Sequence, residues 1–391
     1  MKTANLILVI ILLMTAGCGD SSKQSTDDFI TIDVTKDYSS KKELILQDFM
    51  DVEYIALETN DDFLNQGNVQ AIGKEFIVVK NYVDDGNIFV YDRHGKALRK
   101  INRGGQGGEE YISLYRITLD EDNGELFVSD ILARKFFVYD LYGKFKRSFT
   151  HKEDTKATGF RNIFNYDKDN LLCFDEFNEE IAFVLVSKQD GSITKEIKIP
   201  FKEKKFLQQR VIDEASGMVY SQKPPRYRPM TPYNGNWILI EFSSDTVYSF
   251  MPDRSLRPFI VRAPPVQSMD PEVMLRLRLL SDRYYFMDAV KNEYNFNTRE
   301  GFPTTYFMYD KQENDFFECT LYNDDYSIQK EIYLWVLLPV NHEIESWTPI
   351  EAYQLVDSYK NGELKDGKLK DIAAKLDPED NPVIMLVKHK K

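Results

Sequence analysis

The chain has 391 residues and a formal net charge of −13, a balance that repels phosphate backbones and argues against nucleic acid as a partner. Its 42% hydrophobic and 13% aromatic content is enough for a large core and excludes a disordered chain. Four histidines, at 94, 151, 342 and 389, show no helical metal spacing, and no Cys-x-x-Cys pair occurs. No metal site and no cofactor are therefore expected.

Lys2 and the apolar run Leu6–Met14 open the chain. The run is too short for a hydrocarbon core, which takes about 20 helical residues, so 1–17 read as a secretory signal. Thr15-Ala16-Gly17-Cys18 resembles a bacterial lipobox, which implies lipidation of Cys18 and an outer-membrane lipoprotein of the cell envelope. Residues 18–28, whose stretch GDSSKQSTDD lacks any apolar side chain, read as a flexible tether. Residues 29–391 then form one domain. Cys173 and Cys319 sit in separate strand-like stretches and are expected as free thiols.

Internal repetition organises the first half. IFVYDRHGKALRKI from Ile88 matches FFVYDLYGKFKRSF from Phe136, which places Gly95 against Gly143; the same spacing reaches Gly191 in AFVLVSKQDGSITKEI. Upstream, FIVVKN, LFVSD and LLCFD occupy matching places. Alternation with period two and a turn signal every 8–12 residues or so argues for antiparallel strands. In unit two the strands are predicted at Tyr115–Asp120, Glu125–Asp130, Lys135–Asp140 and Lys144–Thr150. Asp92 and Asp140 are placed to start a turn by accepting backbone N–H groups, and the glycine three residues on accepts positive φ. A unit of about 48 residues with four short strands has the size of a propeller blade.

Two further blades are predicted between 235 and 323, from SDTVYSFMPDRSLRPFIV and TTYFMYDKQENDFFECTLY, and EIYLWVLLPV opens a last one. VEYIALE from Val52 and NPVIMLVKHK at the end are orphan strands suited to closing a ring. Asp270-Pro271-Glu272 before VMLRLRLL predicts a helix, and Lys368–Leu376 predicts a second. The lipobox, the VEYIALE strand, the YDxxGK hairpins, the Gly-rich loop and the LDPEDNPVIMLVK tail together resemble the six-bladed β-propeller lipoproteins of Bacteroidetes, distant relatives of NHL-repeat propellers. The resemblance supplies the number six; the repeat alone also permits seven. The fold expected is all-β: four-stranded antiparallel blades, closed by N- and C-terminal strands, with short helical insertions.

RGGQGGEEY, from Arg103, carries four glycines in the manner of a phosphate cradle. The next stretch, YISLYRITLD, is strand-like, and no helix N-terminus or GKS/GKT ending backs the loop. It reads as a crossover between blades. The ring places Arg103, Arg116, Arg134 and Arg161 on the crossover face, as candidates for an anionic or sugar ligand, against the alternative that each is solvated or paired with an acid. KPPRYRPMTPYNGNW offers Arg226, Tyr227, Arg228 and Trp237 for stacking on sugar rings or a peptide, or for packing the insertion against the ring. The preferred reading is a binding module for a glycan, a peptide or an envelope protein. The rival is a metal-dependent lyase or hydrolase using the central pocket, with acids such as Asp130, Asp175 and Glu176 near strand ends.

Overall fold

The computed structural model describes residues 29–38, 40–150, 159–224 and 227–390. The expected signal, the tether, Cys18 and Arg226 lie outside the described residues. Six sheets stand around a common axis. Blade 1 is built from Asn68–Ile72, Phe76–Lys80, Asn87–Asp92 and Ala97–Asn102. Blade 2 comprises Arg116–Asp120, Glu125–Asp130, Lys135–Asp140 and Phe145–Thr150, within one residue of the predicted bounds. Blade 3 runs through Asn162–Asn165, Asn170–Phe174, Phe183–Ser187 and Ile193–Ile197. Blade 4 spans Met230–Ala263, and blade 5 takes Val273–Leu280, Tyr284–Lys291, Thr304–Asp310 and Asp315–Asn323.

Blade 6 closes the ring. Its inner strands, Leu338–Pro339 and Ile344–Ile350, and its third, Val383–His389, come from the C-terminus, while Met50–Ala56 supplies the outermost strand. Pairing is antiparallel from Met50↔His389 to Ala56↔Val383. The two orphan strands of the sequence thus meet as expected. Before closing blade 6, the N-terminal segment skirts the rim: Ile30–Asp33 adds parallel to the outer strand of blade 4, and Lys41–Ile45 parallel to that of blade 5.

The three repeat glycines have one structural setting. Gly95, Gly143 and Gly191 carry φ of 85°, 82° and 74°. A Cβ there would lie 2.0 Å from the Ala56 carbonyl oxygen, 2.6 Å from Ile101 and 2.5 Å from Phe149, respectively. Each turn therefore presses against the outer strand of the preceding blade, and only glycine meets both demands. Asp92, Asp140 and Asp310 do accept turn N–H groups, from His94 and Lys96, from Tyr142 and Lys144, and from Gln312 and Glu313.

One predicted helix is absent. Val273–Leu280 is a strand, the inner one of blade 5, almost wholly buried. The acid and proline before it mimic a helix start, but VMLRLRLL alternates with period two. Arg276 and Arg278 both reach Asp288 on the adjacent strand, at 2.6 and 2.5 Å. The second helix forms at Lys368–Ala373. A helix not predicted, Ala352–Lys360, precedes it in the excursion between the second and third strands of blade 6. Cys173 and Cys319 are free thiols, Cys173 fully buried. Among the described residues no helix is long and apolar enough to cross a membrane.

Candidate functional site: a cavity along the ring axis

Chain direction gives the ring two faces. Inner strands start at the crossover face and turn back at the hairpin face. A cavity of about 1330 Å³ runs between them, lined by the inner strands of blades 1, 2 and 3, the lead-in to blade 4 and the first turn of blade 6. It is off-centre because blades 4, 5 and 6 are joined across the axis. The Arg228 guanidinium, 2% exposed, donates to Glu345 and Ser346 at 2.6 Å each, while the Leu280 N–H donates to the same Glu345. Arg276, Arg278 and Asp288 fill the adjoining interior.

At the crossover mouth the chain brings cations together. Arg116 is the first residue of blade 2's inner strand, and Arg161 immediately precedes that of blade 3; the Arg116 Nε donates to the Arg161 carbonyl at 3.4 Å. Lys80 ends the second strand of blade 1 and donates to the Leu114 carbonyl at 2.7 Å. Burial lowers the Lys80 pKa; Asp84 opposes the shift and Arg116 adds to it. Lys223 completes the rim from the lead-in to blade 4. Glu176 offsets part of this charge, 3.6 Å from Arg161 and 3.4 Å from Lys223. Deeper, Trp237 contacts Phe164 at 4.9 Å and His342 at 5.6 Å between ring centroids, beside Gln70, Thr118 and Trp347.

Of the sequence candidates, Arg116, Arg161, Tyr227, Arg228 and Trp237 line this one cavity. Tyr227 packs on Phe242 at 4.6 Å, so it also seals the insertion against the ring. Arg103 and Arg134 lie away from it: Arg103 donates to the Gly143 carbonyl at 2.8 Å, and Arg134 is exposed with φ of 53°. The sequence reasoning passed over Lys80 and Lys223. Lys80 had a signal, since the repeat aligns it with Asp130 and Asp175. Asp130 there accepts N–H groups from Ile112, Ser113, Leu132 and Ala133, tying crossover to loop. Burial raises the Asp175 pKa, and its Oδ1 accepts the Phe177 N–H.

The glycine loop is a crossover filled by its own carboxylate. Glu110 accepts the Gly107 N–H at 2.8 Å, and a Cβ on Gly105 would lie 2.0 Å from its Oε2. Tyr111 donates to the Gly86 carbonyl and accepts from the Arg103 N–H. Among the described residues no group of three or more His, Cys, Asp or Glu side chains is placed to hold a metal.

Fold and site together define a six-bladed β-propeller with an axial cavity and a cationic mouth. The chain belongs to the DUF4934 family, a domain of unknown function whose profile matches residues 29–388. No curated protein matches it significantly. Among solved structures, a protein of Bacteroides fragilis described as exported is 14% identical, with 94% of this chain and 100% of that chain covered and a TM-score of 0.56. A DUF4221 family member from Bacteroides vulgatus is 9% identical over 88% and 100% of the two chains, with a TM-score of 0.45.

Proposed function

We propose that this protein is an envelope binding module that takes an anionic, sugar-containing or peptide ligand into its axial cavity through the crossover face. The observation that carries the reading is the convergence of Lys80, Arg116, Arg161 and Lys223 on one mouth of an otherwise acidic chain. Two arginines offer planar bidentate donors to carboxylate or sulfate groups, and Trp237 and Phe164 offer rings for stacking. An anion at the mouth relieves the repulsion between Lys80 and Arg116. Lipid anchoring through Cys18 and an outer-membrane location belong to the same proposal. The lipobox-like sequence supports them, and the exported neighbour from Bacteroides fragilis is consistent with them.

The test is titration calorimetry with oligogalacturonide and its reduced, neutral counterpart. The acidic form is expected to bind and the neutral form is not. Arg116→Ala and Arg161→Ala should each weaken binding by about ten- to a hundredfold, the value of a hydrogen bond to a charged group. If neutral and acidic ligands bind alike, or both variants bind as the parent does, the cationic mouth is not the site.

A further inference from the structure

The 198–229 connection between blades 3 and 4 carries a two-stranded hairpin, Gln209–Ile212 paired with Val219–Gln222. Neither strand has a third partner among the described residues. Val211 faces Tyr220 and Ile212 faces Val219 across the ladder. Directly opposed residues share a face and successive pairs alternate, so the hairpin is apolar on both sides. All four of these side chains and Met218 are exposed, from 40% for Val211 to 64% for Ile212. They belong to a wider pattern. Among the described residues, every exposed large apolar side chain except Leu98, Tyr142, Ile193 and Tyr306 lies on a connection leaving the sheets at the crossover end. An open strand edge with apolar flanks is a template for pairing.

Charge selects the occupant. Asp213 and Glu214 stand at the hairpin tip, Arg210 and Lys223 at its base. Two such hairpins paired edge to edge and antiparallel set each acidic tip beside the other's basic base. The arrangement is self-complementary, as a two-fold interface requires. A bilayer fits worse, because the two carboxylates at the tip would have to enter first.

We propose that the 209–222 hairpin is the docking arm for a second copy of this chain, joining the two hairpins into an intermolecular sheet. The contact is small and each copy carries −13 charges, so association is weak. The hairpin shares Lys223 with the cationic mouth, but the proposal does not rest on the cavity reading, because its readout is mass rather than ligand affinity.

The experiment is sedimentation equilibrium of the purified full-length chain in detergent, up to ~100 µM, where a small interface is still populated. A monomer–dimer equilibrium is expected, with Val219→Lys weakening it by at least about tenfold. Asp213→Arg with Glu214→Arg makes tip and base both basic, and Arg210→Glu with Lys223→Glu makes both acidic. Each variant alone should be monomeric, and their mixture should restore the dimer. That recovery shows that neither variant has failed to fold. A chain that stays monomeric throughout overturns the proposal. So does a dimer indifferent to all of these changes, or a mixture that remains monomeric. Sedimentation with phosphatidylglycerol vesicles that depends on Ile212 and Val219 would assign the hairpin to a membrane instead.

Discussion

At the residue scale, the repeat's punctuation is where sequence and structure agree most closely. Gly143 meets two constraints, positive φ and contact with Ile101, whereas Gly124 has φ of 63° and nothing within 4 Å of its missing Cβ. Gly124→Ala is expected to cost only the backbone term, about 1 kcal/mol, and Gly143→Ala about 3 kcal/mol or more, read by urea denaturation. Equal costs would remove the close-approach argument. Asp310 tests the turn aspartate with a charge attached. Burial alone would raise its carboxyl, but the hydrogen bonds from Arg283, the Gln312 N–H and Lys42 outweigh it and hold the pKa well below the usual carboxylate range. A depressed carboxylate stabilises the fold above its unfolded value of 3.8, and that share is lost as pH falls through its own lower value. Asp310→Asn should therefore destabilise by about 2 kcal/mol near neutrality. The gap to the parent should narrow steadily below pH 3.8. A gap constant with pH would mean that the charge of Asp310 contributes nothing.

Elements differed in how openly the sequence announced them. Blades 1 and 2 were legible because each residue of FVYDxxGK has a local duty, and local duties leave local signals; blade 3 keeps the alternating strands and the turn glycine, Gly191. The helix predicted after Asp270 failed because a capping signature says only that a helix would start well there. The alternation of Val273, Leu275 and Leu277 with Arg276 and Arg278 carried the better information, since each arginine needed a partner across a ladder. The helix at Ala352–Lys360 had its signal in the buried Ala352, Leu355 and Val356. The rim-skirting strands were not legible at all, since parallel addition to an outer edge depends on residues hundreds of positions away. Their removal is informative. Ile32, Val34 and Tyr38 are buried between this segment and blades 4 and 5. Deleting 29–45 exposes the edges Leu256–Ala263 and Asp315–Asn323, and light scattering should show concentration-dependent aggregation. A deleted chain that stays clear, with unchanged melting, would make the segment an ornament.

For the whole molecule, the site was half legible. Arg116 and Arg161 could be placed because the repeat fixes the head of each inner strand. The lopsided cavity could not, because it stems from Arg228 reaching across blade 5 to Glu345, a contact between distant blades. A guanidinium that the sequence offers for a ligand instead ties the lead-in of blade 4 to blade 6, and the opening it leaves is bounded by the inner strands of blades 1, 2 and 3, that lead-in and the first turn of blade 6.

Closure has a temporal side. Met50 can find its partner only after residues up to His389 have been made. Until then Met50–Ala56 lacks its one partner strand, and blade 6 is missing the member that joins its inner strands to its outermost one. A nascent chain of this kind stays unlocked until that strand emerges, and a stop before Val383 yields a ring that cannot shut.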